Sequence, residues 1–247
     1  MKRFLFFKHN YRRLSTVAGN SAGQFLKSNP STVTIDSTWY FPNDPRNAFG
    51  EFTKHRLTNK TVFFDIDDIS DHSIPFPHML PSQSQFESQV SKLGIRNDSP
   101  LLIYDRSDVY SSCRASWMFE VFGHNLEKIH LLDTFAQSDI STDRPIDSAS
   151  QLPESEYKAT FDKSKVILFE ELKELVLSDK IGKDYNVVDA RSGPRFKGEA
   201  PEIRPGLSNL NPPAKFWNAL GPQGLTSRNL LLLCVALELQ PALSDVD

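Results

Sequence analysis

The feature that most constrains this chain is a recurring unit: a short apolar run, a polar turn, then a stretch with apolar residues at helical spacing. The runs are Val33-Thr-Ile35, Thr61-Val-Phe-Phe64, Leu101-Leu-Ile-Tyr104, Ile129-His-Leu-Leu132 and Asn186-Val-Val188. Runs with little polar alternation suit strands covered on both faces, and intervening helices supply the crossovers that parallel pairing requires. The expected fold class is therefore α/β, with a mainly parallel sheet flanked by helices.

Local signals set the expected boundaries. Ser84-Gln-Phe-Glu87 has the form of a capping box, Phe86, Val90 and Leu93 follow at helical spacing, and Gly94 supplies the stop. A second helix is expected over 114–122, with Trp117, Met118, Val121 and Phe122 as its apolar stripe and Gly123 as its end. Residues 137–156 are rich in Ser, Asp and Pro and are expected to link two domains, 33–136 and 157–247. In the second, Lys165-Val-Ile-Leu168 introduces a helix bearing Leu172, Leu175 and Val176, and the order of elements suggests a weak internal duplication. Beyond Leu207 turn residues dominate, and only Leu230 to Leu237 reads as an ordered element.

The chain has 247 residues, 39% of them hydrophobic, enough for one large core or two small ones. A net charge of −3 with dispersed arginines gives no basic footprint for nucleic acid. Its two cysteines, Cys113 and Cys234, exclude a disulfide framework and a paired-cysteine metal site, and no cofactor is called for. The longest apolar run is far short of the roughly 20 residues of a membrane helix. Residues 1–32 carry Lys2, Arg3, Lys8, Arg12, Arg13 and Lys27 and no acidic residue, the composition of a mitochondrial presequence or of a disordered basic arm. Mitochondrial matrix is the expected location, with the cytoplasm as the alternative.

The most concentrated chemistry is Asp189-Ala-Arg-Ser-Gly-Pro-Arg-Phe-Lys-Gly-Glu-Ala-Pro-Glu-Ile-Arg204, which sets three arginines and three carboxylates directly after an apolar strand. Such a loop can hold a small anion or pair its own charges on the surface.

An ordered series of motifs resembles the tandem-domain rhodaneses and 3-mercaptopyruvate sulfurtransferases. The first half carries Asp36-Ser-Thr-Trp-Tyr40, Phe63-Phe-Asp-Ile-Asp67, Pro77-His-Met-Leu-Pro81, Leu93-Gly-Ile95, Tyr104-Asp105, Arg114, Trp117 and Phe122-Gly-His124. The second carries Asp189-Ala-Arg-Ser192, Arg195-Phe196, Gly198, Pro201-Glu202 and Arg204. The resemblance implies two rhodanese-like domains, the first inert and the second carrying a strand-terminal cysteine. That thiolate attacks the outer sulfur of a small anionic donor, holds it as a persulfide and passes it to cyanide or a thiol, such as that of a thioredoxin-like protein.

Residue by residue, the resemblance implies donor binding by Arg195 and Arg204, a structural Arg191, a supporting pair in Asp44 and His55, and Cys234 as nucleophile. A slip of one position would put Arg56 where His55 stands. Asp105 occupies the nucleophile position of the first half, which should make that half inert, and Cys113 is expected to be a packing residue.

The tail departs from the family. Cys234 is followed by Val-Ala-Leu-Glu-Leu-Gln-Pro241, without the glycines of the family's Cys-Gly-x-Gly-Val-Thr-Ala loop. If that stretch were encoded TGT GTG GCA CTG GAG TTA CAG CC, reading two nucleotides later would give Cys-Gly-Thr-Gly-Val-Thr-Ala, so a frameshifted or mis-spliced tail is one expectation. The second domain is accordingly expected to be truncated or partly disordered. The alternative function is a catalytically inactive rhodanese-like binding protein.

Overall fold

The computed structural model describes residues 14–73, 77–107, 109–146, 152–181, 184–189, 194, 199 and 230–233. It divides into two compact units, 1–165 and 166–247. The first contains a five-stranded parallel sheet in the order β1-β5-β4-β2-β3. Its strands are β1 (Ser15–Val17), β2 (Val33–Asp36), β3 (Thr61–Phe63), β4 (Leu101–Tyr104) and β5 (Ile129–Leu132). Helices α1 (Ala22–Ser28), α2 (Ala48–Phe52), α3 (Gln83–Lys92) and α4 (Ser111–Val121) lie between them in sequence.

The apolar run of β4 shows why the sheet needs cover on both sides. Side chains alternate across a strand, so Leu101 and Ile103 enter a core with Phe64, Phe86, Val90, Phe119 and Phe122. Leu102 and Tyr104 enter the opposite core with Val17, Ala22 and Leu57, closed by Phe25, Phe135 and Ile140. The Tyr104 ring stacks on Phe135 at 4.7 Å. On the first face, Phe86 stacks on Phe122 at 4.2 Å, and Phe119 meets Phe64 and Phe86 in tilted and edge-on contacts.

The helix ends follow turn chemistry. Gly94 and Gly123, which close α3 and α4, adopt φ of 72° and 84°, a region open to glycine at no steric cost. Helix α3 begins earlier than its capping-box signal: the Ser82 hydroxyl, not Ser84, accepts from the Gln85 amide, so Gln83 already lies inside the helix. Helix α4 likewise starts at Ser111 rather than Arg114, because the Asp105 carboxylate accepts from Ser112 and nucleates the first turn.

Two expected boundaries shift. Residues 15–28 are not a free arm: β1 pairs in parallel with β5 over Ser15–Val17, and Ala22 is fully buried. The residues before Leu14 lie outside the described residues. The expected linker is also drawn onto the first unit. The buried Arg56 guanidinium donates to the Arg144 and Pro145 carbonyl oxygens at 2.9 and 2.8 Å, and His55 bridges Asp143. Tyr157 and Ala159 pack in the first core, so the contact boundary falls after Lys165 rather than near Tyr157.

In the second unit, α5 (Phe169–Leu177) contributes Leu172, which packs with Ile181, Ile167 and Tyr185. Strands β6 (Asn186–Asp189) and β7 (Leu230–Leu233) pair in parallel.

Candidate functional site

Parallel strands end together, so the carboxyl edge of the sheet gathers the loops that can carry chemistry. In the first unit, β2 ends on Asp36 and β4 is followed by Asp105. The Asp105 side chain is nearly fully buried and accepts from the backbone amides of Ser107, Tyr110 and Ser112 at 2.8, 2.7 and 2.8 Å. The loop therefore folds as a cup of N–H groups at the start of α4, an arrangement suited to an anion, and the chain's own carboxylate fills it. Val109, a β-branched residue at φ 65°, marks the strain needed to turn those amides inward.

The next residue, Arg106, turns away from the cup. Its Nη2 donates to Asp36 Oδ2 at 2.7 Å, its side chain is 6% exposed, and its guanidinium lies 4.3 Å from the Phe135 ring centroid. Burial pushes the Asp36 carboxyl above the ordinary carboxylate range, while Arg106 and the Thr38 hydroxyl and amide pull it back. Glu51 extends the network by accepting from Tyr40 at 2.9 Å and twice from Arg46 at 2.8 and 2.7 Å. The Arg46 bonds hold its carboxyl below the usual range, and burial with the Glu51 charge raises the Tyr40 phenol well above its own.

Asp44 and His55 do not form a pair. Asp44 accepts from the Arg46 amide at 2.9 Å within the 40–47 turn, while His55 is exposed at the end of α2, and among the described residues no hydrogen bond joins them. Arg56, the alternative from a one-position slip, is an internal clasp on carbonyl oxygens. Cys113 is not a packing residue: it lies on the outer side of the first turn of α4 and is exposed, because Ala115, Met118 and Phe119 take the core face.

An aromatic wall stands at this edge. Trp39 donates from Nε1 to Asp67 Oδ2 at 2.8 Å and meets Phe41, His78 and Tyr110 through its ring. Trp39 lies in the Asp36-Ser-Thr-Trp-Tyr40 motif, but nothing in the sequence pattern joined it to Tyr110. Among the described residues no cluster of three or more His, Cys, Asp or Glu side chains could hold a metal ion.

In the second unit, β6 and β7 repeat the relation of β2 and β4. The register Val33↔Leu101 to Asp36↔Tyr104 has its counterpart in Asn186↔Leu230 to Asp189↔Leu233. Asp189 thus corresponds to Asp36, and the residue following the second strand is Asp105 in one unit and Cys234 in the other. Cys234, Arg195, Arg204 and Arg191 lie outside the described residues.

No family model matches the chain. Its relatives nevertheless decide the matter. The 3-mercaptopyruvate sulfurtransferase of Escherichia coli K12 is 32% identical over 203 residues, covering 79% of this chain and 69% of that one. The chain belongs to the 3-mercaptopyruvate and thiosulfate sulfurtransferase family. Thiosulfate sulfurtransferase Tum1 of Saccharomyces cerevisiae is 39% identical over 180 residues, 70% of this chain and 58% of its own length. The Tum1 crystal structure superposes with a TM-score of 0.69 over 78% of this chain and 65% of that one, at 35% identity. The Arabidopsis thaliana thiosulfate/3-mercaptopyruvate sulfurtransferase 1, mitochondrial, is 32% identical over 225 residues, 82% of this chain and 57% of its own length. The chain thus spans under two thirds of the Tum1 and Arabidopsis sulfurtransferases, and its parallel sheet flanked by helices is the rhodanese fold of the family.

Proposed function

We propose that this chain is a sulfurtransferase that moves a sulfane sulfur from 3-mercaptopyruvate or thiosulfate to a thiol or cyanide through a persulfide on Cys234. The carrying observation is the strand register: Cys234 follows β7 as Asp105 follows β4, and the loop after β4 converges three backbone amides on an anion. A thiolate at such a position attacks the terminal sulfur of the donor. The S–S bond of thiosulfate breaks and sulfite leaves with the electron pair, or the C–S bond of mercaptopyruvate breaks and the pyruvate enolate leaves to be protonated. An acceptor thiolate then takes the outer sulfur and returns the cysteine thiolate.

Arg195 and Arg204 are proposed to bind the donor, since a guanidinium matches a carboxylate or sulfonate with paired hydrogen bonds. Asp44 and His55 are candidates for support from the first domain, although they stand unpaired here. The proposed organisation is a first rhodanese-like domain that serves as a structural partner and a second that carries the chemistry. The thiol acceptor is proposed to be a protein of thioredoxin-like chemistry.

Residues 1–13 hold five basic and no acidic side chains, Lys2, Arg3, Lys8, Arg12 and Arg13. With a mitochondrial relative in the family, this supports the matrix as the location. A fusion of residues 1–35 to a fluorescent protein should enter mitochondria; a diffuse cytosolic signal removes the proposal.

Incubation of the full chain with either donor should add one sulfur atom to Cys234, seen by intact mass and removed by dithiothreitol. Cys234→Ser should lose the adduct and Cys113→Ser should keep it. The second reading, a non-catalytic binding protein or a frameshifted product, is favoured by the absence of glycine in Val235-Ala-Leu-Glu-Leu239, and it predicts no adduct with either donor.

A further inference from the structure

The carboxyl edge of the first sheet holds the anion cup, but a second concave site lies at the opposite ends of the same strands. A cleft of about 410 Å³ is lined by Leu26, Thr32, Leu57, Lys60, Ile140 and Arg144, with Gly23, Asn29, Pro30, Thr58 and Asn59 completing it. Thr32 precedes β2 and Lys60 precedes β3, so the cleft sits at the amino edge. Four residue steps along β2 separate Thr32 from Asp36, about 13 Å.

The chemistry of the lining is specific. Lys60 Nζ reaches only the Pro30 carbonyl oxygen, at 3.3 Å, and Arg144 Nε only that of Ser141, at 3.2 Å; among the described residues neither meets a carboxylate. Asp139, on the Gly23 side, is engaged by the Gly23 amide at 2.7 Å. Thr32 is 3% exposed and its Oγ1 is sealed beneath the cleft wall, so it offers no contact to a ligand. The neighbouring hydroxyls of Thr34, Thr58 and Thr61 satisfy one another, with the Thr34 Oγ1 at 2.9 and 2.6 Å from the other two. Leu26, Leu57 and Ile140 belong to the core behind the cleft and give it an apolar floor.

Two cations without carboxylate partners above an apolar floor define the ligand. A monoanion would leave one cation unmatched, whereas a phosphate monoester carries about −1.5 to −2 charges at neutral pH and three acceptor oxygens. We propose that this cleft binds a small phosphate monoester, its phosphate between Lys60 and Arg144 and its organic body on Leu26 and Ile140. The site is independent of the sulfur chemistry at the other edge.

Amide shifts of the isotope-labelled full chain test this, with inorganic phosphate and phenyl phosphate as probes and sodium chloride at matched ionic strength as control. Phosphate should give saturable shifts confined to residues 23–32, 57–60 and 140–144, and phenyl phosphate should saturate at lower concentration. Lys60→Met and Arg144→Met should each weaken binding about ten-fold, the loss expected for one charge-assisted contact, while Lys60→Arg should restore most of it. Lys60 is exposed and Arg144 half-buried, and neither belongs to the core, so far-UV circular dichroism should be unchanged. Shifts that track chloride, or that persist in both methionine variants, overturn the site. Equal affinity for the two probes overturns the role of the apolar floor.

Discussion

The two strand pairs, β2 with β4 and β6 with β7, share a register but not a terminal residue. In the first unit the residue after the central strand is a carboxylate held by three amides; in the second it is a thiol followed by a sequence without glycine. The difference teaches that strand pairing and nucleophile preorganisation are separate properties. Two apolar runs suffice for the shared register, whereas the anion cup needs a loop able to turn its amides inward, and the first unit manages this only with Val109 in the left-handed region.

The comparison breaks most forcefully at Arg106. Arg106→Met leaves Asp36 buried without its cation, a change expected to cost about 3–5 kcal/mol in urea unfolding of the first unit. A loss below about 1 kcal/mol would mean that the Asp36 end of the strand pair needs no partner. Asp105→Ala strands three amides in a dry loop and should cost about 3 kcal/mol by the same measurement.

Asp105→Cys in a Cys113→Ser background sharpens the contrast most directly. A thiolate in the cup should alkylate with an apparent pKa well below about 8.5, the ordinary thiol value, and below that of Cys234. Matching alkylation profiles for the two positions would show that the cup adds nothing to a thiolate.

The smallest expected effect is a pH dependence confined to the first unit. Burial holds the His124 imidazole below its ordinary value, with Tyr157 and the Ser99 carbonyl around it. The unfolded chain therefore binds a proton more readily, so this contribution to stability is complete above about pH 6.5 and is lost as the pH falls toward the folded value. His124→Gln should flatten the midpoint-against-pH curve below that point, and an unchanged slope would assign the loss to other groups, His130 among them.

Much of the first unit was legible in the sequence because its strands are short runs buried on both faces and its helices stop at Gly94 and Gly123, both local signals. The β1 strand was hidden: Ser15-Thr-Val17 is too short and polar to announce itself, and its structure comes from pairing with β5. The boundary after Lys165 was hidden for a related reason, since Tyr157 and Ala159 look like the start of something new until the aromatic core that receives them is present. Asp105 was legible as the residue that follows the β4 run, but the three amides it gathers were not, because backbone direction leaves no mark in composition. The phosphate cleft was silent for the same reason, its residues lying far apart along the chain.

Gly94 and Gly123 do more than end two helices. A Cβ on Gly94 would lie 2.5 Å from Leu152 Cβ and one on Gly123 3.0 Å from the Thr160 carbonyl oxygen, so the passing chain rests where only hydrogen leaves room. Anyone excising the first unit for expression should therefore cut after Lys165: a shorter piece would bare two notches and the aromatic seat of Tyr157, and would invite clumping in the test tube.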